Sequence, residues 1–291
     1  METTREESIL NSKLAVGTPA VLNQKSDGEA LYLFCLVPAT HLLPLEGAVL
    51  DGLPDLTAER FREITAILSP VALEEFCGPG GEANLQDLSW LAPRLARHQE
   101  VIAGLMRHSP VLPLPFGTLF SSRDSLAQCL GRHRQAIRGF WEMVAGREEW
   151  AVKGFLDRDR ARQRLFSQTR ARRGAELDAL PPGARYFLEQ RLRADLESQM
   201  RLWLREALGR ARTIIRESAT ASCPRRLLPR EITGRAQEMV ANWAFLVPHP
   251  QLAAFRARLN RANRMVASFG LIFTSTGPWA PFSFAPALSR D

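Results

Sequence analysis

Apolar residues recur along this chain with two periods, and the switches between them outline its elements. The run Leu31-Tyr-Leu-Phe-Cys-Leu-Val37 is apolar on both alternating faces and stops at Pro38. It predicts a central strand. Ile64 to Leu68 is a second apolar stretch, and Ser69-Pro70 after it predicts a helix start, with Ser as cap, Pro at the first helical position and Val71–Phe76 as a short helical turn. Gly78-Pro-Gly-Gly81 reads as a flexible loop, since it lacks the spacing of a phosphate cradle and no Lys-Ser/Thr follows. From Pro93 to about Arg107, Leu91, Leu95, His98, Ile102 and Leu105 fall on one helical stripe. His98 on that stripe reads as a packed, hydrogen-bonded side chain rather than a ligand. The prolines of Pro110–Phe116 suit an edge strand or an irregular extended segment that continues into Gly117-Thr-Leu-Phe120. A second amphipathic helix runs from about Arg123 to Ala145 through Leu126, Leu130, His133, Ile137, Trp141 and Val144, and Glu149–Asp157 alternates as a strand closing this unit.

Beyond Asp157 the pattern changes. Arg158 to Leu180 is arginine-rich and weakly apolar, ends at Pro181-Pro-Gly183, and reads as an exposed, partly helical linker. A long helix follows from about Ala184 to Ser218, with Leu188, Leu192, Leu196, Met200, Trp203, Ala207, Ala211 and Ile214 on its stripe. Met239–Val247 is another buried strand, Pro250–Ser268 a helix, and Gly270–Thr274 a strand leading into Thr276-Gly-Pro-Trp-Ala-Pro-Phe-Ser-Phe284. The fold class is therefore α+β, in two domains, each a small mainly antiparallel sheet with helices on one face as in ferredoxin-like folds. The expected organisation is a tail over 1–29, an N-terminal domain over 30–157, the linker over 158–183 and a C-terminal domain with the long helix over 184–291.

Charge alters this picture in one place. The 291 residues carry a net +7, yet residues 151–240 alone hold 20 basic and 11 acidic side chains, so the remainder is slightly acidic. Such a segment keeps nucleic acid open as a partner. Against that reading, Glu189 with Arg193, Glu197 with Arg201 and Glu206 with Arg210 have the spacing of helical ion pairs, and no nucleic-acid recognition motif is present. Nucleic-acid binding through the 151–240 segment stays as the alternative.

Catalytic chemistry is not visible. The five histidines are scattered, the four cysteines contain no C-x-x-C pair, and neither a G-x-S-x-G elbow nor a Walker loop occurs. No metal, no cofactor and no enzymatic activity are expected. The charged first residues precede no apolar signal core and no apolar run is long enough for a membrane span, which predicts a soluble cytoplasmic protein.

Several stretches carry more when taken in order. They are Leu31-Tyr-Leu-Phe-Cys-Leu-Val-Pro38; Asn84-Leu-Gln-Asp-Leu-Ser-Trp-Leu-Ala-Pro93 with Arg97-His-Gln-Glu-Val-Ile102; Pro110-Val-Leu-Pro-Leu-Pro-Phe-Gly-Thr-Leu-Phe120; and Ala244-Phe-Leu-Val-Pro248 with Thr276–Phe284. With Glu149-Trp-x-Val-Lys153 and Pro182-Gly-x-x-Tyr-Phe-Leu188 they span about residues 30–286, and together they resemble the GvpL/GvpF family of gas vesicle proteins. Pro115 departs from the arginine seen before Phe-Gly-Thr in relatives. The resemblance implies a non-catalytic accessory protein of gas vesicle formation, associated with the vesicle, that contacts the hydrophobic shell protein and other accessory proteins. Two surfaces are candidates for such contact. One is Gly277, Pro278, Trp279, Phe282 and Phe284, whose prolines stiffen an aromatic segment and keep it from regular ladder pairing. The other is the arginine-rich stretch 158–173, with Arg170, Arg172 and Arg173, for an acidic partner surface.

Overall fold

The computed structural model describes residues 28–40 and 56–288. All of the expected tail over 1–29 except its last two residues lies outside them. The described chain divides into two compact units, one formed by the residues up to Arg147 with those from Pro278 onward, the other by Glu148–Gly277. The expected boundaries near 157 and 184 differ from this division, since residues 148–157 belong to the second unit and the chain from Pro278 onward returns to the first.

In the first unit, β1 (Glu29–Pro38) is the predicted central strand. It pairs antiparallel with β3 (Ile64–Ala72), which pairs in turn with β2 (Thr57–Phe61). On its other side β1 takes two short antiparallel strands, β4 (Leu112–Pro113) and β5 (Leu119–Phe120), drawn from the proline-rich segment. Ser69-Pro70 does not start a helix. The strand runs through it to Ala72, and β2 reaches only as far as Leu68, so among the described residues no strand pairs with Pro70 on that side, which suits a residue without an N–H. Gly78–Gly81 is likewise not a loop but the first turn of α1 (Gly78–Gln86), with Pro79 pre-setting the helical φ. Gly81 is required there by space, because a Cβ would lie 2.3 Å from the Phe76 carbonyl carbon.

Helix α2 (Leu88–Met106) buries all five residues of the predicted stripe, and Asp87 caps it by accepting from Ser89 N–H at 2.9 Å. Helix α3 (Arg123–Val144) starts from a capping box of Ser122 and Ser125 and packs on β4 and β5. The Tyr32, Phe34 and Val37 side of the sheet forms a core with Leu91, Leu95, Ile102, Phe116 and Leu119. Leu33 and Leu36 are equally buried. The first sheet is thus covered on both faces, not on one.

The second sheet has the order β7 (Ala221–Pro224), β8 (Glu238–Pro248), β6 (Arg147–Leu156), β9 (Leu271–Trp279). The strand expected to close the first unit is β6, which instead lies inside this sheet; its unbroken burial and alternation could not say which sheet it joins. Strand β9 also continues past Thr274 through Gly277-Pro278-Trp279, so the prolines do not remove this segment from extended structure. Gly277 lets it pass close, since a Cβ there would lie 3.0 Å from the Glu149 carbonyl oxygen.

The expected linker is helix α4 (Arg158–Arg172), capped by Asp157, which accepts from Arg160 N–H at 3.0 Å. Its apolar stripe is short, Ala161 and Leu165 one turn apart with Phe166 half-buried beside them, but all three pack on the second core. That is enough to dock it against the long helix α5 (Pro182–Arg216), which also packs on α6 (Leu252–Val266). Of the predicted α5 stripe, Leu192, Leu196, Met200, Ala207 and Ala211 are buried and Leu188 and Trp203 half-buried, and at its end Ile215 rather than Ile214 is buried. Trp150, Val152 and Leu156 of β6, Trp243, Phe245 and Val247 of β8 and Phe255 of α6 complete this core.

Candidate partner-binding surfaces

The aromatic segment near the C-terminus divides between interior and surface. Ala280 belongs to the first core, Phe282 packs against that core with its ring centroid 6.5 Å from that of His98, and Pro281 is buried. Pro278 is exposed, whereas Gly277, Trp279 and Phe284 are half-buried. The segment is in the main a seal on the first core, and the surface it presents is small.

The arginines of 158–173 are mostly engaged within the second unit. Arg158 pairs with Glu238, and the hydrogen bond from its guanidinium holds the Glu238 carboxyl below the usual range. Arg162 Nε donates to Glu197 at 2.7 Å, and Arg170 lies 3.4 Å from Glu189. Arg173 grips Glu176 through two hydrogen bonds of 2.7 and 2.6 Å, which lower that carboxyl too. Arg172 differs from these, because it borders a groove.

That groove, of about 670 Å³, is walled by α4, α5 and α6. Leu165, Ala207 and Val266 are buried at its base, and Trp203 stacks on Phe269 with ring centroids 4.6 Å apart at 25°. At the lip, Leu202 and Met265 are 51% and 44% exposed, so apolar surface continues from the base to the opening. The polar rim includes Thr169, whose hydroxyl donates to Gln199 at 3.1 Å, and Arg210, 3.5 Å from Glu206. Leu202 and Met265 carry no sequence signal on the predicted stripes. A leucine one place before the stripe residue Trp203 and a methionine one place before Val266 were the only hints that these helices are apolar more widely than one face needs.

The most strongly perturbed histidine offers no reactive group. His98 is buried, with Nε2 3.0 Å from the Leu114 carbonyl oxygen and Nδ1 2.9 Å from the Tyr32 hydroxyl, under the rings of Phe34, Phe116 and Phe282. Burial lowers its pKa to about 4. Among the described residues no cluster of His, Cys, Asp or Glu has metal-binding geometry, and no helix is long and apolar enough to cross a membrane.

A family model described as gas vesicle synthesis protein GvpL/GvpF matches residues 30–286. Gas vesicle protein L of Streptomyces sp. (strain CB03234) is 28% identical over 256 residues, covering 85% of this chain and 91% of that one. Gas vesicle protein L2 of Halobacterium salinarum is 26% identical over 286 residues, covering 92% and 95%. Among solved structures, the gas vesicle protein GvpF of Anabaena sp. PCC7120 superposes with a TM-score of 0.64 at 19% identity, covering 89% of this chain and 99% of that one. GvpF of Microcystis aeruginosa gives 0.59 at 18% identity with the same coverage. At those identities the structural likeness speaks for the fold, an α+β arrangement with two sheets.

Proposed function

Because the chain belongs to the GvpL/GvpF family and is a protein of gas vesicle formation, we propose that it acts there as a non-catalytic accessory protein in the cytoplasm, holding the hydrophobic shell protein and other accessory proteins during assembly. The observation that carries this reading is the groove of the second unit, where Leu202 and Met265 keep apolar surface open at the lip. A subunit destined for a water-excluding wall exposes apolar segments before assembly, and such segments aggregate unless a partner covers them. An apolar groove with a charged rim offers transient cover. Of the residues expected at the contact, Arg172 borders this groove. Pro278, Trp279 and Phe284 form a smaller second candidate. We also read the second unit as ferredoxin-like, from its sequence of strand, helices, two strands, helix and strand, with β6 between β8 and β9.

The test is capture of purified shell subunit by the immobilised full-length protein at low salt. Retention is expected. With the protein shown to be folded, absence of retention sinks direct contact with the shell subunit.

A further inference from the structure

We propose that the groove between α4, α5 and α6 binds an acidic amphipathic helix of about three turns supplied by a partner protein. The inference deepens the reading above and rests on it for the partner's identity, but its chemistry comes from the groove itself. The α5 wall runs from Gln199 to Arg210, which at 1.5 Å per residue is about 16 Å, or three helical turns. The lining positions on α4, namely Leu165, Gln168, Thr169 and Arg172, likewise follow helical spacing over two turns.

A helix fits these walls and a strand does not. All three walls are helices whose backbone groups are already satisfied within their own turns, so they offer no free main-chain edge. An extended peptide laid there would leave its N–H and C=O groups without partners, whereas a helix arrives with its own paired and needs only side-chain contact. Leu202 and Met265 at the lip, above the Trp203–Phe269 stack, suit apolar anchors spaced along one face of such a helix.

Charge sets the character of the flanks. Of the arginines on α4, Arg158, Arg162 and Arg170 are matched by Glu238, Glu197 and Glu189, and on α6 Arg258 is matched by Glu217, so the charge that bears on the groove is that of the arginines nearest its opening, Arg172 among its lining residues. Arg261 stands one turn before Met265 on the same side of α6, and Arg201 and Arg205 flank Leu202 on α5; all three are exposed. Among the described lining residues Glu206 is the one acid, and it is tied to Arg210. A basic apolar slot of this kind favours a helix with Glu or Asp beside its apolar stripe and repels one with Lys or Arg there.

The experiment uses the full chain and two fluorescent synthetic helices of about 18 residues that share one leucine stripe. One carries glutamate on its flanks and the other lysine; binding is read by anisotropy. The glutamate helix is expected to bind saturably, at least about tenfold tighter than the lysine helix, and to weaken as salt rises from about 50 mM to about 200 mM. Leu202→Asp with Met265→Asp is expected to weaken it at least about tenfold. Should that variant fail to fold, Arg172→Glu with Arg261→Glu decides, with the same loss expected from exposed positions. No saturable binding by the folded wild type, equal affinity for both helices, or unchanged affinity in the groove variants would overturn the proposal. Shell-subunit capture that persists without helix binding defeats the groove assignment alone, whereas helix binding without shell capture defeats the shell contact alone.

Discussion

The Tyr32 hydroxyl donates to Nδ1 of His98 across 2.9 Å, a direction that follows from the imidazole tautomer. Nε2 faces the Leu114 carbonyl oxygen at 3.0 Å, which only accepts, so the ring proton sits on Nε2 and Nδ1 must be the acceptor. Tyr32 in turn accepts from the Gly117 N–H at 3.3 Å. One chain of hydrogen bonds thus joins β1, α2 and both ends of the proline-rich turn that supplies β4 and β5. Tyr32→Phe leaves Nδ1 and the Gly117 N–H buried without partners. A loss of about 1–3 kcal/mol is expected in urea unfolding; a loss below about 0.5 kcal/mol would show that the network contributes little.

The same histidine makes stability depend on pH. Its folded pKa is lowered from 6.5 to about 4 by burial, so below neutrality the unfolded chain binds a proton that the folded chain refuses. The stabilisation is complete above about pH 6.5 and is lost as pH falls toward 4, by about 3 kcal/mol in all. Carboxylates held down by a hydrogen-bonded arginine, such as Glu238, also make stability fall in acid, so the informative quantity is a difference. Urea midpoints of the wild type and of His98→Gln, measured from pH 7.5 to pH 4, should converge as pH falls. Parallel curves would show that His98 is not the titrating group.

Gly81→Ala would gain helix propensity in an exposed helix, worth about 1 kcal/mol. Here it is expected to destabilise instead. The new methyl would lie 2.3 Å from the Phe76 carbonyl carbon and 2.6 Å from its oxygen, and backbone at that distance can be relieved only by moving α1. A fall in melting temperature checks the direction. Gly80→Ala, where the nearest atom is the Glu74 carbonyl oxygen at 3.3 Å, should cost less and serves as the control.

Legibility in the sequence followed the amount of burial each element carries. The α2 stripe and the strands β1 and β8 bury nearly every apolar residue, so periodicity and a closing Val-Pro located them. Helix α4 fully buries just Ala161 and Leu165, with Phe166 half-buried beside them, too few for a periodic signal against six arginines, and so it read as a linker. Strand β6 is buried over eight consecutive residues, which identifies a central strand but not its sheet. At the candidate surfaces, residue type suggested aromatics and arginines, yet partnership decided the outcome. Arg158, Arg162 and Arg170 are matched by Glu238, Glu197 and Glu189 from far along the chain, a pairing that no local pattern announces. The groove was hidden because it is assembled from three helices, each reading as an ordinary amphipathic or polar segment.

The placement of Phe282 separates a core role from a surface role for the C-terminal aromatic segment. It packs against the first core together with Ala280, although β9 leading to it lies in the second sheet. Phe282→Ala should therefore cost about 2 kcal/mol, less than a fully buried phenylalanine because part of the ring remains accessible. Truncation after Gly277 should go further, removing Ala280 and Phe282 from the first core around His98 and raising binding of an apolar dye. If the segment is mainly a seal, Phe282→Ala leaves shell-subunit capture intact once measured per folded molecule. Trp279→Ala, at a half-buried position beside exposed Pro278, tests the remaining surface. Lost capture with an unchanged melting curve in either variant would return this segment to the contact and weaken the claim of the groove to be the main one.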